Sequence, residues 1–150
     1  MLGWVSMKYE RKSSHTIYDH KYHLVWVTKY RFQVLKGVIG ERVRELVKQV
    51  CKENQVEILQ GHVRPEHIHL VVSVPPHLSI SKLMQYIKGM SGRKLLQEFE
   101  ILRKRYYGGH VWSRGFYSAT SGNITDQQVI DYVRNQDRDE ADDDKFHVSE

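Results

Sequence analysis

The stretch from Glu66 to Val74 constrains the fold most, because it reads as a β-strand that opens with two histidines around one isoleucine. Side chains alternate along a strand, so His67 and His69 share a face, with Cα atoms roughly 6.5–7 Å apart. Ile68 points the opposite way with an apolar row, Leu70, Val72 and Val74. One face should therefore pack on helices, while the other presents two imidazoles suited to one divalent ion. A second interpretation is that both are ordinary strand histidines, each hydrogen-bonded to a neighbour.

The length and composition indicate one globular domain. A chain of 150 residues is long enough to bury a core. No segment has the apolar length of a transmembrane helix, and the first residues lack the pattern of a signal peptide, so we expect a soluble cytoplasmic protein with no membrane partner. The single Cys51 falls on an apolar helical face, which favours a core position over a reactive thiol.

The charge is distributed unevenly. Residues 137–150 carry seven acidic and two basic side chains, so the first 136 residues carry +10 although the whole chain carries +5. That basic body is suited to a polyanionic partner. We expect a loosely ordered arm over residues 1–20, a folded domain over residues 21–136 and a flexible acidic tail over residues 137–150.

The predicted elements follow the order β-α-β-β-α-β with one more helix. Strands are expected over residues 22–28, 56–62, 66–74 and 111–120. Helices are expected over residues 38–54, from a cap at Ser79 or Ser81 to about residue 99, and over residues 127–136 after a cap at Thr125 or Asp126. This order predicts an α+β fold of the ferredoxin-like and RRM-like kind, an antiparallel sheet with two helices on one face. The two strand histidines should lie on its open face.

The last predicted helix carries two further candidates. Tyr132 and Gln136 are four residues apart and so share one face of the helix. A phenol can act as a nucleophile, and an amide oxygen can complete a metal's ligand set, if this helix docks on the open face of the sheet. His62 is a candidate third imidazole or a hydrogen-bonded neighbour, because the predicted hairpin brings it near His67.

Four stretches, taken together, resemble the single-tyrosine HUH transposases of small bacterial and archaeal insertion sequences, TnpA in type. They are YHLVWVTKYR from residue 22, GHVRPEHIHL from residue 61, WSRGFY from residue 112 and YVRNQ from residue 132. The resemblance covers about residues 20–137. It does not extend to the acidic tail.

The resemblance implies a metal-dependent DNA transposase. By this resemblance, the metal Mg²⁺ or Mn²⁺ would be bound by His67, His69 and Gln136 of this chain, and Tyr132 would be the nucleophile. Single-stranded DNA with hairpin ends would be cleaved and rejoined through a 5′-phosphotyrosine by a homodimer, with the tyrosine acting in cis or in trans. Gly122 resembles the hinge that precedes the tyrosine helix.

Four cations are candidates for contacts with DNA phosphates: Lys29, Arg31, Lys88 and Arg93. The first two follow a strand and stand beside aromatic residues. The other two lie on the second helix, where Gly89 and Gly92 leave room for the close approach of a backbone or a ligand.

Three other interpretations stay open at this point. A non-catalytic module that binds single-stranded nucleic acid would use the same sheet, but it gives no reason for a tyrosine to be grouped with the histidines. An HUH nuclease domesticated by its host would keep the cleavage chemistry. A structural zinc site of His62, His67 and His69 would make folding depend on the metal.

Overall fold

The histidine strand lies in the middle of an antiparallel sheet. The computed structural model describes residues 2–5, 11–12, 17–120, 125 and 127–136. The strands are β1 (Leu2–Val5), β2 (Arg11–Lys12), β3 (Ile17–Tyr18), β4 (Lys21–Val27), β5 (Glu57–Val63), β6 (His67–Ser73) and β7 (Tyr117–Thr120). The helices are α1 (Gly37–Glu53), α2 (Ile80–Glu98), α3 (Glu100–Arg105) and residues 127–136, which we call the tyrosine helix.

The main sheet has the order β1-β5-β6-β4-β7, and β2 pairs with β3 separately. Without the added edge strand β1, this is the strand order of a ferredoxin-like fold. The predicted α+β fold class is therefore confirmed, and the β5–β6 hairpin, α1 and α2 lie within one or two residues of their predicted positions.

β4 and β6 are the central pair of the sheet. Val25 lies opposite His69, and Val27 lies opposite His67. Residues 24–27 of β4 have no exposed surface, as expected for a strand covered on both faces. Because side chains alternate, the histidines and these two valines share one face.

The opposite face is covered by α1 and α2. Leu24 and Trp26 of β4 pack there with Ile68, Leu70 and Val72 of β6. The helices contribute Val43, Leu46, Val47, Val50 and Cys51 from α1 and Leu83, Met84 and Ile87 from α2. Each such side chain contributes about 1.5–3 kcal/mol when it is fully buried, so this layer stabilises the sheet behind the histidines.

The tyrosine helix covers part of the histidine-bearing face. Val129 and Val133 pack on Val25 and Val27. A reciprocal capping box starts the helix: the Gln128 backbone N–H donates to the Thr125 hydroxyl oxygen at 3.2 Å, and the Thr125 N–H donates to the Gln128 side-chain oxygen at 2.7 Å. Thr125 is thus a cap of this helix, whereas Asp126 lies outside the described residues.

Three features differ from the sequence prediction. Part of the predicted loose arm, β1, pairs with β5 at the edge of the sheet, and α3 occupies a segment expected to be a connection. The predicted strand over residues 111–120 is wrong in its first half, where only the bridge between Thr28 and Trp112 remains before β7. The carbonyls of Ser113 and Gly115 accept hydrogen bonds from Lys88 instead of joining the sheet.

The acidic tail predicted over residues 137–150 lies outside the described residues, as does Gly122. Within the described part of the chain, no helix combines the length and the apolar character needed to cross a membrane.

Candidate active site

The two histidines of β6 stand side by side on the face that the tyrosine helix approaches. Both are half-buried, whereas Ile68 and Leu70 beside them are fully buried against α1 and α2. The predicted alternation of the strand therefore holds in the structure. It leaves two imidazoles on one face of the central strand.

His67 is held by the residue that precedes it. Its Nδ1 lies 2.7 Å from Oε1 of Glu66, so Nδ1–H donates to the carboxylate, and in the neutral ring Nε2 then carries the lone pair. Burial lowers the pKa of His67, and the Glu66 carboxylate offsets part of this effect. The ring is therefore neutral near pH 7, which is the protonation state that a metal ligand needs.

His69 is surrounded by other imidazoles. Its Nε2 lies 3.2 Å from Nδ1 of His23 on β4, and its ring centroid lies 6.3 Å from that of His62 on β5. Burial, followed by repulsion from the neighbouring histidines, lowers the pKa of His69 to about 4. His62, which the sequence places near His67, lies opposite His69 in the sheet register, and its Nε2 is 2.9 Å from the Gln60 amide nitrogen.

A cavity of about 460 Å³, the histidine pocket, lies between these rings and the tyrosine helix. The sheet side contributes Arg31, His62, Arg64, Glu66, His67 and His69. The helix side contributes Val129, Ile130, Val133 and Arg134. The structure thus brings both histidines to a pocket of suitable size for a phosphodiester group, with three arginines at its walls.

Tyr132 and Gln136 lie on the helix that closes this pocket, but neither side chain lines it. The Tyr132 ring lies 5.8 Å from the ring of Tyr117 on β7, and its hydroxyl oxygen is buried. The helix faces the histidines with Val129 and Val133 instead. In a single chain, the side chain of Tyr132, the predicted nucleophile, therefore lies close to the histidine pocket but does not line it.

The donor set of the pocket fits a divalent ion in part. His67 and His69 are neutral and lie on one wall of the pocket. The Glu66 contact leaves the lone pair on Nε2 of His67 for a metal ion. Among the described residues, no three His, Cys, Asp or Glu side chains are grouped to hold a metal. Within those residues, a third ligand would be of another type, such as an amide oxygen, and a phosphate oxygen of the substrate could also serve. The three-histidine zinc site has no support in this part of the chain.

Arg31 enters the histidine pocket from a turn in an unusual backbone conformation. Tyr30 and Arg31 have φ values of 59° and 55°, a left-handed region that side chains other than glycine rarely adopt. Lys29 leans over the Tyr30 ring at 5.3 Å. Arg64 and Arg134 were missed by the sequence prediction, although each stands within three residues of a predicted site residue.

Lys88 and Arg93 lie elsewhere. They line a cavity of about 680 Å³ between α2 and residues 109–114, on the helix-covered side of the sheet. The Lys88 amine donates to the carbonyl oxygens of Ser113 and Gly115 at 2.7 and 2.8 Å. The four predicted phosphate contacts therefore divide between two surfaces, and a phosphate at Lys88 would compete with these carbonyls.

Two known transposases are similar to this chain in sequence. The chain is 34% identical over 127 residues to the transposase for insertion sequence element IS200 of Salmonella typhimurium, covering 85% of this chain and 83% of that protein. It is 29% identical over 126 residues to the ISDra2 transposase TnpA of Deinococcus radiodurans, covering 84% and 90%.

Two solved structures resemble the fold. A crystal structure of a Deinococcus radiodurans protein assigned as a transposase has a TM-score of 0.77 at 28% identity, and the match covers 84% of this chain and 97% of that one. A REP-associated tyrosine transposase bound to a REP hairpin shares the fold at a TM-score of 0.54 and 18% identity, over 73% and 60% of the two chains.

The resemblance drawn from the sequence motifs is confirmed by these similarities and by a family model. The model described as "Transposase IS200 like" matches residues 16–136, which include the histidine strand and the tyrosine helix. The chain belongs to the IS200-like transposase family.

Proposed function

We propose that this transposase cleaves and rejoins single-stranded DNA at the ends of an insertion sequence through a 5′-phosphotyrosine on Tyr132. The observation that carries the proposal is the histidine pocket, in which two neutral imidazoles, Arg31 and Arg64 face the helix that bears Tyr132, Arg134 and Gln136. The motif resemblance implies roles in this reaction for His67, His69, Gln136 and Tyr132.

His67, His69 and Gln136 would hold a divalent ion, Mg²⁺ or Mn²⁺. The combination of two imidazoles with an amide oxygen and phosphate oxygens suits these metals better than a closed zinc site does. When bound, the ion supplies Lewis-acid polarisation of a non-bridging phosphate oxygen.

The side chains of this protein supply the remaining steps. Arg31, Arg64 and Arg134 would bind and orient the scissile phosphate, as planar guanidinium groups do in phosphate recognition. The Tyr132 oxygen forms a bond to phosphorus while the bond from phosphorus to the 3′-oxygen breaks, and the phenol proton is released as a 3′-hydroxyl forms. Attack by a 3′-hydroxyl on this phosphotyrosine reverses the step. The bond energy is kept, so no nucleotide cofactor is required.

A homodimer is the proposed working form. Because Val129 and Val133 face the histidines of the same chain while Tyr132 packs against Tyr117, the nucleophile must either move within its chain or serve the pocket of a second copy. The proposed substrate carries hairpin ends, in line with the hairpin bound by the REP-associated tyrosine transposase. We retain the prediction that DNA phosphates also contact Lys29, Lys88 and Arg93.

The test is covalent capture of DNA. End-labelled single strands from both sides of the gene are incubated with the protein and Mg²⁺ and resolved on a denaturing gel. We expect a protease-sensitive covalent species that requires the metal, disappears in Tyr132→Phe and persists in Tyr117→Phe, which alters the neighbouring tyrosine in the same way.

Two results would contradict the proposal. A covalent species retained in Tyr132→Phe would place the nucleophile elsewhere. The non-catalytic binding module would be favoured if wild type and Tyr132→Phe bind the hairpin strands equally and form no covalent product. Scrambled and duplex DNA serve as controls for recognition.

A further inference from the structure

Glu66 is placed to act on His67 by an unusual local arrangement. Neighbouring residues in a strand point to opposite faces, so a glutamate one position before His67 would ordinarily point away from it. Glu66 instead stands in a bend just before β6, and its carboxylate reaches Nδ1 of His67 at 2.7 Å. Both side chains are largely buried, with 21% and 14% of their surfaces exposed.

The backbone of Glu66 is itself fixed by Thr28, the residue that follows β4. Its carbonyl oxygen accepts a hydrogen bond from the backbone N–H of Thr28 at 2.9 Å, and it lies 3.2 Å from the Thr28 hydroxyl, which donates to the Phe32 carbonyl oxygen at 2.7 Å. Thr28 has no exposed surface. Because the Glu66 side chain is largely buried and already hydrogen-bonded to His67, little further side-chain freedom would be lost on metal binding.

His69 shows that this contact is specific to one of the two histidines. The ring of His69 meets another imidazole, that of His23, rather than a carboxylate. A carboxylate accepts a hydrogen bond and never donates one when ionised, so it selects the tautomer with a proton on Nδ1. An imidazole partner can donate or accept and imposes no such choice.

We propose that Glu66 is a positioning residue for His67: its carboxylate fixes the ring orientation and the Nδ1–H tautomer, so that Nε2 is the atom offered to the divalent ion. This inference rests on the proposed role of His67 as a metal ligand. Carboxylate partners of this kind orient metal-bound histidines in many metalloproteins, and their loss typically weakens metal affinity 10–100-fold.

The test compares Mn²⁺ binding, measured by the electron paramagnetic resonance of the free ion, in the full-length wild type and four variants. Glu66→Ala should bind Mn²⁺ about 10–100-fold more weakly than wild type. Glu66→Gln should fall between them, because its amide oxygen still accepts from Nδ1–H but carries no charge. Glu45→Ala removes one negative charge from the exposed surface of α1 and should bind as wild type does. His67→Ala should lose most of the binding.

A second measurement needs no metal. Long-range ¹H–¹⁵N spectra of the metal-free protein report the tautomer of each histidine, and the His67 signals are identified by their absence in His67→Ala. We expect the Nδ1–H tautomer in wild type, a change toward the Nε2–H tautomer in Glu66→Ala, and a mixture in Glu66→Gln, whose amide can either accept from Nδ1–H or donate to Nδ1.

The outcomes separate the two proposals. Wild-type Mn²⁺ affinity and an unchanged tautomer in Glu66→Ala, together with weak binding in His67→Ala, would overturn the role of Glu66 and leave the metal site intact. Equal Mn²⁺ binding by wild type and His67→Ala would overturn the metal site itself, and with it the functional role given to Glu66.

Discussion

Nε2 of His69 lies 3.2 Å from Nδ1 of His23, so two imidazoles on adjacent strands share a single hydrogen bond. One ring must donate and the other accept, so at least the accepting ring is neutral. Protonation of both would place two positive charges in contact on a half-buried surface. Burial lowers the pKa of each ring, consistent with a pair that resists protonation in the folded state.

This pair makes stability depend on pH in a defined direction. His69 has a folded-state pKa of about 4, against an ordinary value of 6.5. As the pH falls below about 6.5, His69 is protonated in the unfolded chain but not yet in the folded chain. The free energy of unfolding therefore decreases until the pH reaches about 4. Urea unfolding in the presence of EDTA should show a lower midpoint near pH 5 than near pH 7.5, with a smaller decrease in His69→Asn.

The control for this experiment is His77→Asn, which removes an exposed histidine. It should lose stability with acid as wild type does. An equal acid-induced decrease in wild type and His69→Asn would mean that His69 does not carry the effect.

Docking of the tyrosine helix should depend on Val133. This side chain is 7% exposed and packs with Val25 and Val27, whereas Ile130 on the same helix is 42% exposed. A carboxylate at position 133 would lose its hydration, at a cost larger than the roughly 1.5–3 kcal/mol that one buried valine contributes. In Val133→Asp we expect the helix to detach, with amide hydrogen exchange over residues 127–136 about 10-fold faster or more while β4 and β6 stay protected.

Ile130→Asp is the matched variant, because it introduces the same charge at an exposed position of the same helix. Its amide exchange should stay close to that of wild type. Equal protection of the helix in both variants would mean that the packing of Val133 does not hold it on the sheet.

Local patterns were sufficient to predict much of this fold. The alternation from Glu66 to Val74 predicted both faces of β6, and the spacing of Thr125 and Gln128 matches the cap that the structure gives the last helix. β1 was not predicted, because its partner β5 lies more than 50 residues further along the chain and four residues carry too little periodicity.

The orientation of the tyrosine helix could not be read from its spacing. Tyr132 and Gln136 are four residues apart, but so are Val129 and Val133, and both pairs define a face. Tertiary packing on Val25 and Val27 selects the valine pair for the sheet. The sequence therefore predicted that Tyr132 and Gln136 lie on one helix. The tertiary packing decides which side chains of that helix face the histidines.

A buried hydrogen bond between α2 and the loop before β7 gives a third prediction. The Trp112 indole N–H donates to the Ser91 hydroxyl at 3.0 Å, and both residues are buried. In Ser91→Ala the indole N–H loses its acceptor without access to water, so we expect the free energy of unfolding to fall by about 1–3 kcal/mol in urea unfolding.

Ser113→Ala provides the comparison. The Ser113 hydroxyl donates to the carbonyl oxygen of Val27 at 3.0 Å, but that oxygen also accepts from the Ser113 backbone N–H at 2.9 Å. No buried group is left unsatisfied there, so the loss should stay near 0.5–1.5 kcal/mol. Equal losses in the two serine variants would contradict this accounting.

Arg31 should contribute one phosphate contact to DNA binding. It lines the histidine pocket, whereas Arg42 pairs with Glu98 at 2.7 Å on the helix-covered side. Each phosphate neutralised on a single strand contributes about −0.7 to the slope of log K against log salt. In fluorescence-anisotropy titrations of a single-stranded hairpin oligonucleotide with Tyr132→Phe as background, which prevents covalent capture, Arg31→Ala should bind more weakly and with a slope about 0.7 shallower. Arg42→Ala removes the same charge and should leave the slope unchanged. If the two arginine variants shift the slope equally, net charge rather than a contact at the histidine pocket governs binding, and Arg31 has no specific role.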